Sequence, residues 1–131
     1  MPAALALTVI LGALSIFQLA LALGAPLGRY AWGGQHRVLP VRLRIGSAIS
    51  ILLYGLMAGI AWDRAGVLSV LDDTVSRVAM WVVFGYLALG IVMNAISRSK
   101  PERNTMTPTS VVLAVLAMLV AIGHGQMATA I

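Results

Sequence analysis

Charge is confined to a small part of this chain. Residues 1–28, 45–62, 78–97 and 104–131 carry no Asp, Glu, Lys or Arg, and these windows hold 94 of the 131 residues. All 13 formal charges fall in the other 37. Soluble domains spread their charges along the chain, at about 25% of residues, against 10% here. Crossing roughly 30 Å of hydrocarbon at about 1.5 Å per residue takes about 20 apolar residues, and each window approaches or exceeds that length. The pattern excludes a soluble globular domain and a disordered chain, and the absence of cysteine excludes a disulfide scaffold. It specifies an integral membrane protein.

The windows read as helices. Strands of a membrane barrel alternate apolar and polar residues, whereas "VVLAVLAMLVAI" (111–122) is apolar on every face. The expected fold is all-α: one four-helix transmembrane domain over 1–131, running up-down-up-down, with spans near Ala4–Gly24, Arg44–Trp62, Val78–Ile96 and Pro108–Gly123. Ala20-Leu21-Ala22 has the look of a signal cleavage site, but the chain ahead of it lacks a basic segment, so a retained first helix is expected. Gly24 and Pro26 suit the end of helix 1 and Leu39-Pro40 the entry to helix 2. Thr107-Pro108 suits the start of helix 4, with Thr107 as its N-cap. Asp72, Asp73 and Ser76 are candidate caps for helix 3.

Orientation follows from the loops. Loop 1 (29–44) carries a net +4, loop 3 (98–103) a net +2 and loop 2 (63–77) a net −1. Basic residues in short loops stay on the cytoplasmic side. Loops 1 and 3 are therefore expected in the cytoplasm and both termini outside (N-out/C-out), in the plasma (inner) membrane. Trp62 and Trp81 then belong to an outer aromatic belt, and Tyr30 and Trp32 to an inner one. The basic loops point to anionic lipid headgroups as partners. Nucleic acid is excluded, because the charge is split over two short loops beside a bilayer.

Apart from Arg44 at the edge of the second, no Asp, Glu, Lys or Arg falls inside the expected spans, which argues against proton antiport by a membrane carboxylate and against a voltage sensor. Uncharged polar residues cluster at one depth instead: Gln18 in helix 1, Ser47 and Ser50 in helix 2, Asn94 and Ser97 in helix 3, and Thr107, Thr109 and Ser110 in helix 4. They are either hydrogen-bonding glue between helices or a polar vestibule lined by Gln18 and Asn94, with Arg37 or Arg98 at its mouth. Gly55 and Gly59 form a GxxxG pair, read as packing inside the bundle in preference to a dimer face.

The densest information lies in residues 24–44, "GAPLGRYAWGGQHRVLPVRLR". Gly24-Ala25-Pro26, Trp32-Gly33-Gly34-Gln35-His36-Arg37 and Leu39-Pro40, with the later "NAISRSKPERNTMTP" (94–108), resemble a family of small four-span bacterial integral membrane proteins that is itself uncharacterised. The resemblance covers most of the chain and implies a fold but no activity. From the residues themselves, Gly33 and Gly34 permit positive φ and so let backbone amides converge. Beside Arg29, His36 and Arg37 such amides suit an anionic group, as in backbone nests. The alternative is a re-entrant turn anchored by Trp32. The candidate ligand-binding residues are Gln18, Arg29, Trp32, Gly33, Gly34, His36, Arg37, Asn94 and Arg98.

No metal or other cofactor is expected. His36 and His124 fall at opposite ends, and the seven methionines are scattered. His36 is a conceivable general base, yet no residue pattern demands an enzyme. The reading that follows is a non-enzymatic membrane module binding a partner protein or anionic lipid through its basic loops, as a monomer or a homo-oligomer. The alternative is one subunit of an oligomeric channel or transporter for ions or small solutes.

Overall fold

The structure, a computed structural model, describes residues 2–123; His124 lies outside the described residues. It contains four long helices: α1 (Pro2–Ala22), α2 (Val41–Arg64), α3 (Asp73–Ala95) and α4 (Lys100–Ile122). Each is long and apolar enough to cross a membrane, so the chain is an all-α four-helix bundle of the multi-pass membrane type.

Local sequence sets the helix ends. After α1 the chain passes through Gly24 at φ +96°. Gly24 N–H then donates to the Leu21 carbonyl at 3.1 Å, and Ala25 N–H to the Ala20 carbonyl at 2.9 Å. This is a Schellman closure, which requires a left-handed residue and so favours glycine. Pro40 precedes the first residue of α2, and Asp72 occupies the N-cap position of α3 without a side-chain cap bond. Helix 4 departs from expectation. It starts at Lys100, so Ser99 and not Thr107 holds the N-cap position, and Pro108 lies inside the helix. Pro101 in the first turn provides the preset φ that Pro108 was expected to provide. Pro108 removes one N–H and leaves the carbonyl four residues back, that of Asn104, without a helix partner. Asn104 is exposed, so solvent or headgroups meet that carbonyl. Each of α2, α3 and α4 begins earlier than its charge-free window, because charged side chains in an end turn reach out of the apolar layer.

Successive helices pair, α1 with α2 and α3 with α4, and contacts of α1 with α4 and of α2 with α3 close the bundle. The start of α1 meets the end of α2, where Trp62 Nε1–H donates to Thr8 Oγ1 at 2.6 Å. The end of α2 meets the end of α4, where the Arg64 guanidinium donates to the Ala121 carbonyl through Nε at 3.1 Å and Nη2 at 2.9 Å. This cation is 4% exposed and sits against the carbonyl end of α4, where the helix dipole favours it. The neighbouring Asp63 carboxylate accepts the Val70 and Leu71 N–H groups, both at 2.9 Å, and so folds the short connection to α3.

The larger packed core fills this end, and a second, small cluster of Leu21, Ala31 and Leu39 lies at the loop 1 end. The larger core is built from Ala3, Ala4, Leu7 and Leu11 of α1, Met57 and Ala61 of α2, Met80, Val83 and Leu87 of α3, and Leu113, Ala114, Ala117 and Ala121 of α4. Between helices in lipid, van der Waals fit drives association, and alanines permit close approach. The GxxxG pair takes no part, contrary to expectation. A Cβ built on Gly55 or Gly59 meets no atom within 4 Å. At 3.6 residues per turn, two positions are about 200° apart, so Gly55 and Gly59 lie on the side of α2 away from Met57 and Ala61.

Candidate functional site: a cavity under loop 1

Loop 1 closes on itself before it touches the bundle. The Gly28 N–H donates to the Arg37 carbonyl at 2.9 Å. Any side chain at position 28 would collide with the His36 carbonyl oxygen. Within the loop so closed lie two single-turn 3-10 helices, Gly28–Tyr30 and Trp32–Gly34. Trp32, Gly33 and Gly34 are all left-handed, at φ 53°, 82° and 71°. That conformation suits the two glycines and costs a tryptophan on the order of 1 kcal/mol. Trp32 is held there by its indole, which packs on Gly46 and donates Nε1–H to Ser47 Oγ at 3.1 Å.

Two further contacts pin loop 1 to α4. Gly34 packs on the Ser99 side chain, whose Oγ–H donates to the Arg29 carbonyl at 2.5 Å. The Gly33 N–H donates to Glu102 Oε2 at 3.3 Å, and Glu102 is only 6% exposed. The glycine turn therefore receives an anion from its own chain. Glu102→Ala leaves the Gly33 amide unpaired at a cost of about 1–2 kcal/mol. Loop 1 should then open about tenfold more often. Limited trypsin digestion in detergent, read by mass spectrometry, checks this as faster cleavage at Arg29 and Arg37.

Beneath loop 1 and between the helices lies a half-open cavity of about 630 Å³. It lies between the larger core and loop 1, and the core residues Leu87 and Leu113 form part of its wall. Of the nine candidate residues, Gln18, Trp32, Gly33, His36 and Asn94 line it. Arg29, Arg37 and Arg98 are exposed outside it, and Gly34 is used against Ser99. Asn94 acts as glue: its Nδ2–H donates to Ser110 Oγ of α4 at 2.6 Å. Ser50 and Thr109 bond to carbonyls of their own helices. Gln18 behaves differently. Its Nε2–H reaches the Tyr54 hydroxyl at 3.5 Å, while its Oε1 is buried without a partner. His36 Nδ1 is likewise buried and unpartnered.

The lining also includes Tyr30, Tyr54, Tyr86, Arg42 and Glu102, none of them among the nine candidates. Tyr54 lies seven residues after Ser47 and four after Ser50, on the same helix face. That spacing was a usable signal. Ser99 followed by Glu102 was another, because it has the form of a capping box.

The cations of this end divide into two groups. Arg44 Nε–H caps α1 at the Ala22 carbonyl at 2.8 Å, and Arg103 Nη1–H donates to the Ser97 carbonyl at 3.3 Å. Arg29, Arg37, Arg42, Arg98 and Lys100 are exposed, and their side chains have no hydrogen bond or ion pair among the described residues. No group of three His, Cys, Asp or Glu is placed to hold a metal among the described residues.

No family model, curated protein or solved structure matches this chain.

Proposed function

We propose that the chain is a non-enzymatic membrane module that binds anionic lipid at its basic end, with that end facing the cytoplasm. The observation that supports this is the set of five exposed and unengaged cations, Arg29, Arg37, Arg42, Arg98 and Lys100, in loop 1, loop 3 and the first turns of α2 and α4, of which Arg42 also lines the cavity. A structural role would have paired them, as it pairs Arg44 and Arg64. Near an anionic surface each contributes about 1 kcal/mol. Removing two should therefore weaken anionic-lipid retention on the order of tenfold after screening by salt. Native mass spectrometry of the protein released from vesicles of phosphatidylglycerol and phosphatidylcholine tests this. Retained phosphatidylglycerol that falls in the Arg37→Gln/Arg98→Gln variant supports the reading. Equal retention of both lipids contradicts it.

A subunit of an oligomeric channel is the second reading, favoured by the uncovered Gly55 and Gly59. The packed half of the bundle closes any path along a single chain, so passage would need several copies. The same spectra, showing one defined oligomer that Gly55→Leu dissociates, would support it.

A further inference from the structure

Of the three buried, unpartnered side-chain polar atoms in the basic half of the described residues, those of Gln18 and His36 line the cavity and that of Thr107 does not. Gln18 is 9% exposed, and its Oε1 has no donor. The Tyr54 hydroxyl accepts from Gln18, and its own hydrogen has no acceptor among the described residues. Together they present one acceptor and one donor side by side, the complement of a hydroxyl group. At a buried site each unmet group is costly, and an occupant that meets them removes the penalty. His36 Nδ1, in loop 1, offers a second polar contact on the lining.

The rest of the lining narrows the chemistry. Phe17, Tyr30 and Tyr54 give flat apolar walls that suit a ring. No charged residue lies near Gln18 in sequence, and the charged lining groups, Arg42 and Glu102, come from the end turns of α2 and α4. The head bound at Gln18 is therefore neutral. On α3, Tyr86, Leu89 and Met93 line the cavity and are also exposed, so the wall opens sideways toward the membrane. A volume near 630 Å³ is within the roughly 300–1,000 Å³ of small-molecule pockets.

We infer that the cavity binds the ring of an isoprenoid quinone or quinol. One ring oxygen meets the Gln18–Tyr54 pair, the opposite oxygen meets His36, and the tail leaves over Tyr86, Leu89 and Met93. A quinol hydroxyl donates to Gln18 Oε1 and accepts from Tyr54; a quinone carbonyl accepts from Tyr54. Ring binding uses different side chains from the cationic rim, so either can fail without the other.

The test is quenching of tryptophan fluorescence by a short-tailed ubiquinone in phosphatidylcholine vesicles, because Trp32 is part of the cavity wall. Saturable quenching is expected. Tyr54→Phe, which keeps the ring, and Gln18→Leu should each weaken it about fivefold, in line with one lost hydrogen bond. Leu52→Ala, at an exposed position outside the cavity, should leave it unchanged. Non-saturable quenching, or an affinity that Tyr54→Phe does not alter in a protein of unchanged helicity, overturns the inference. So does equal competition by diacylglycerol, which would make the cavity a general lipid-chain pocket.

Discussion

Gly28→Ala is expected to release loop 1 and destabilise the protein by about 2 kcal/mol or more, the range for a backbone clash that cannot relax locally. The added methyl group would overlap the His36 carbonyl oxygen and crowd that of Arg37. Both are backbone atoms, so no rotamer change relieves the contact. The Gly28–Arg37 hydrogen bond would break, and the turn that carries Trp32 and His36 over the cavity would lose its base. Gly33→Ala should cost less, about 1 kcal/mol, because its added methyl meets nothing and only the positive φ opposes it. Gly12→Ala, in open surroundings inside α1, should be neutral or slightly stabilising. Denaturant titration in a mild detergent, read by circular dichroism, ranks the three.

Ala117→Leu tests the opposite end. Ala117 and Ala61 are both 0% exposed within one core cluster. Three extra carbons there have no space, and overpacking of this kind costs about 1–3 kcal/mol. In lipid the penalty falls on helix association, since isolated spans keep their backbone bonds. The expected result is separation of the α1–α2 and α3–α4 hairpins at a lower denaturant concentration. Leu52→Ala, at a site facing away from the bundle, should leave the midpoint unchanged. Equal sensitivity at positions 117 and 52 would contradict the placement of the core.

The number of helices was legible because hydrocarbon tolerates no charge, and the sequence obeys that limit over four windows. The start of α4 was not. Charged residues in an end turn look like loop, and of two prolines that each suit a helix start, the later one, Pro108, was the wrong choice. Periodicity could not locate the core. Spans that are apolar all round have no polar face to mark the outside, so Gly55 and Gly59 looked as ready to pack as Ala61. For the site, residue type served well where the backbone demanded it, as at Gly33, and where a polar group stood out against apolar neighbours, as at Gln18 and Asn94. Arginine was a poor guide to the cavity wall: Arg29, Arg37 and Arg98 stand outside it, while Arg42 lines it. Tyr54 and Tyr86 were missed because tyrosine in an apolar run reads as core. The partner of the glycine turn was missed because Glu102 is remote in sequence from Gly33.

Binding at the basic end requires a bundle that is closed at one end and open at the other. The chain has no cysteine, so single thiols can be introduced without background. In intact inverted vesicles, whose outer surface is the cytoplasmic face, a membrane-impermeant maleimide should label Ser50→Cys and Thr109→Cys in the cavity wall, and fail to label Ala61→Cys and Ala117→Cys in the core. Equal labelling of all four, or labelling of the core pair alone, would contradict that architecture.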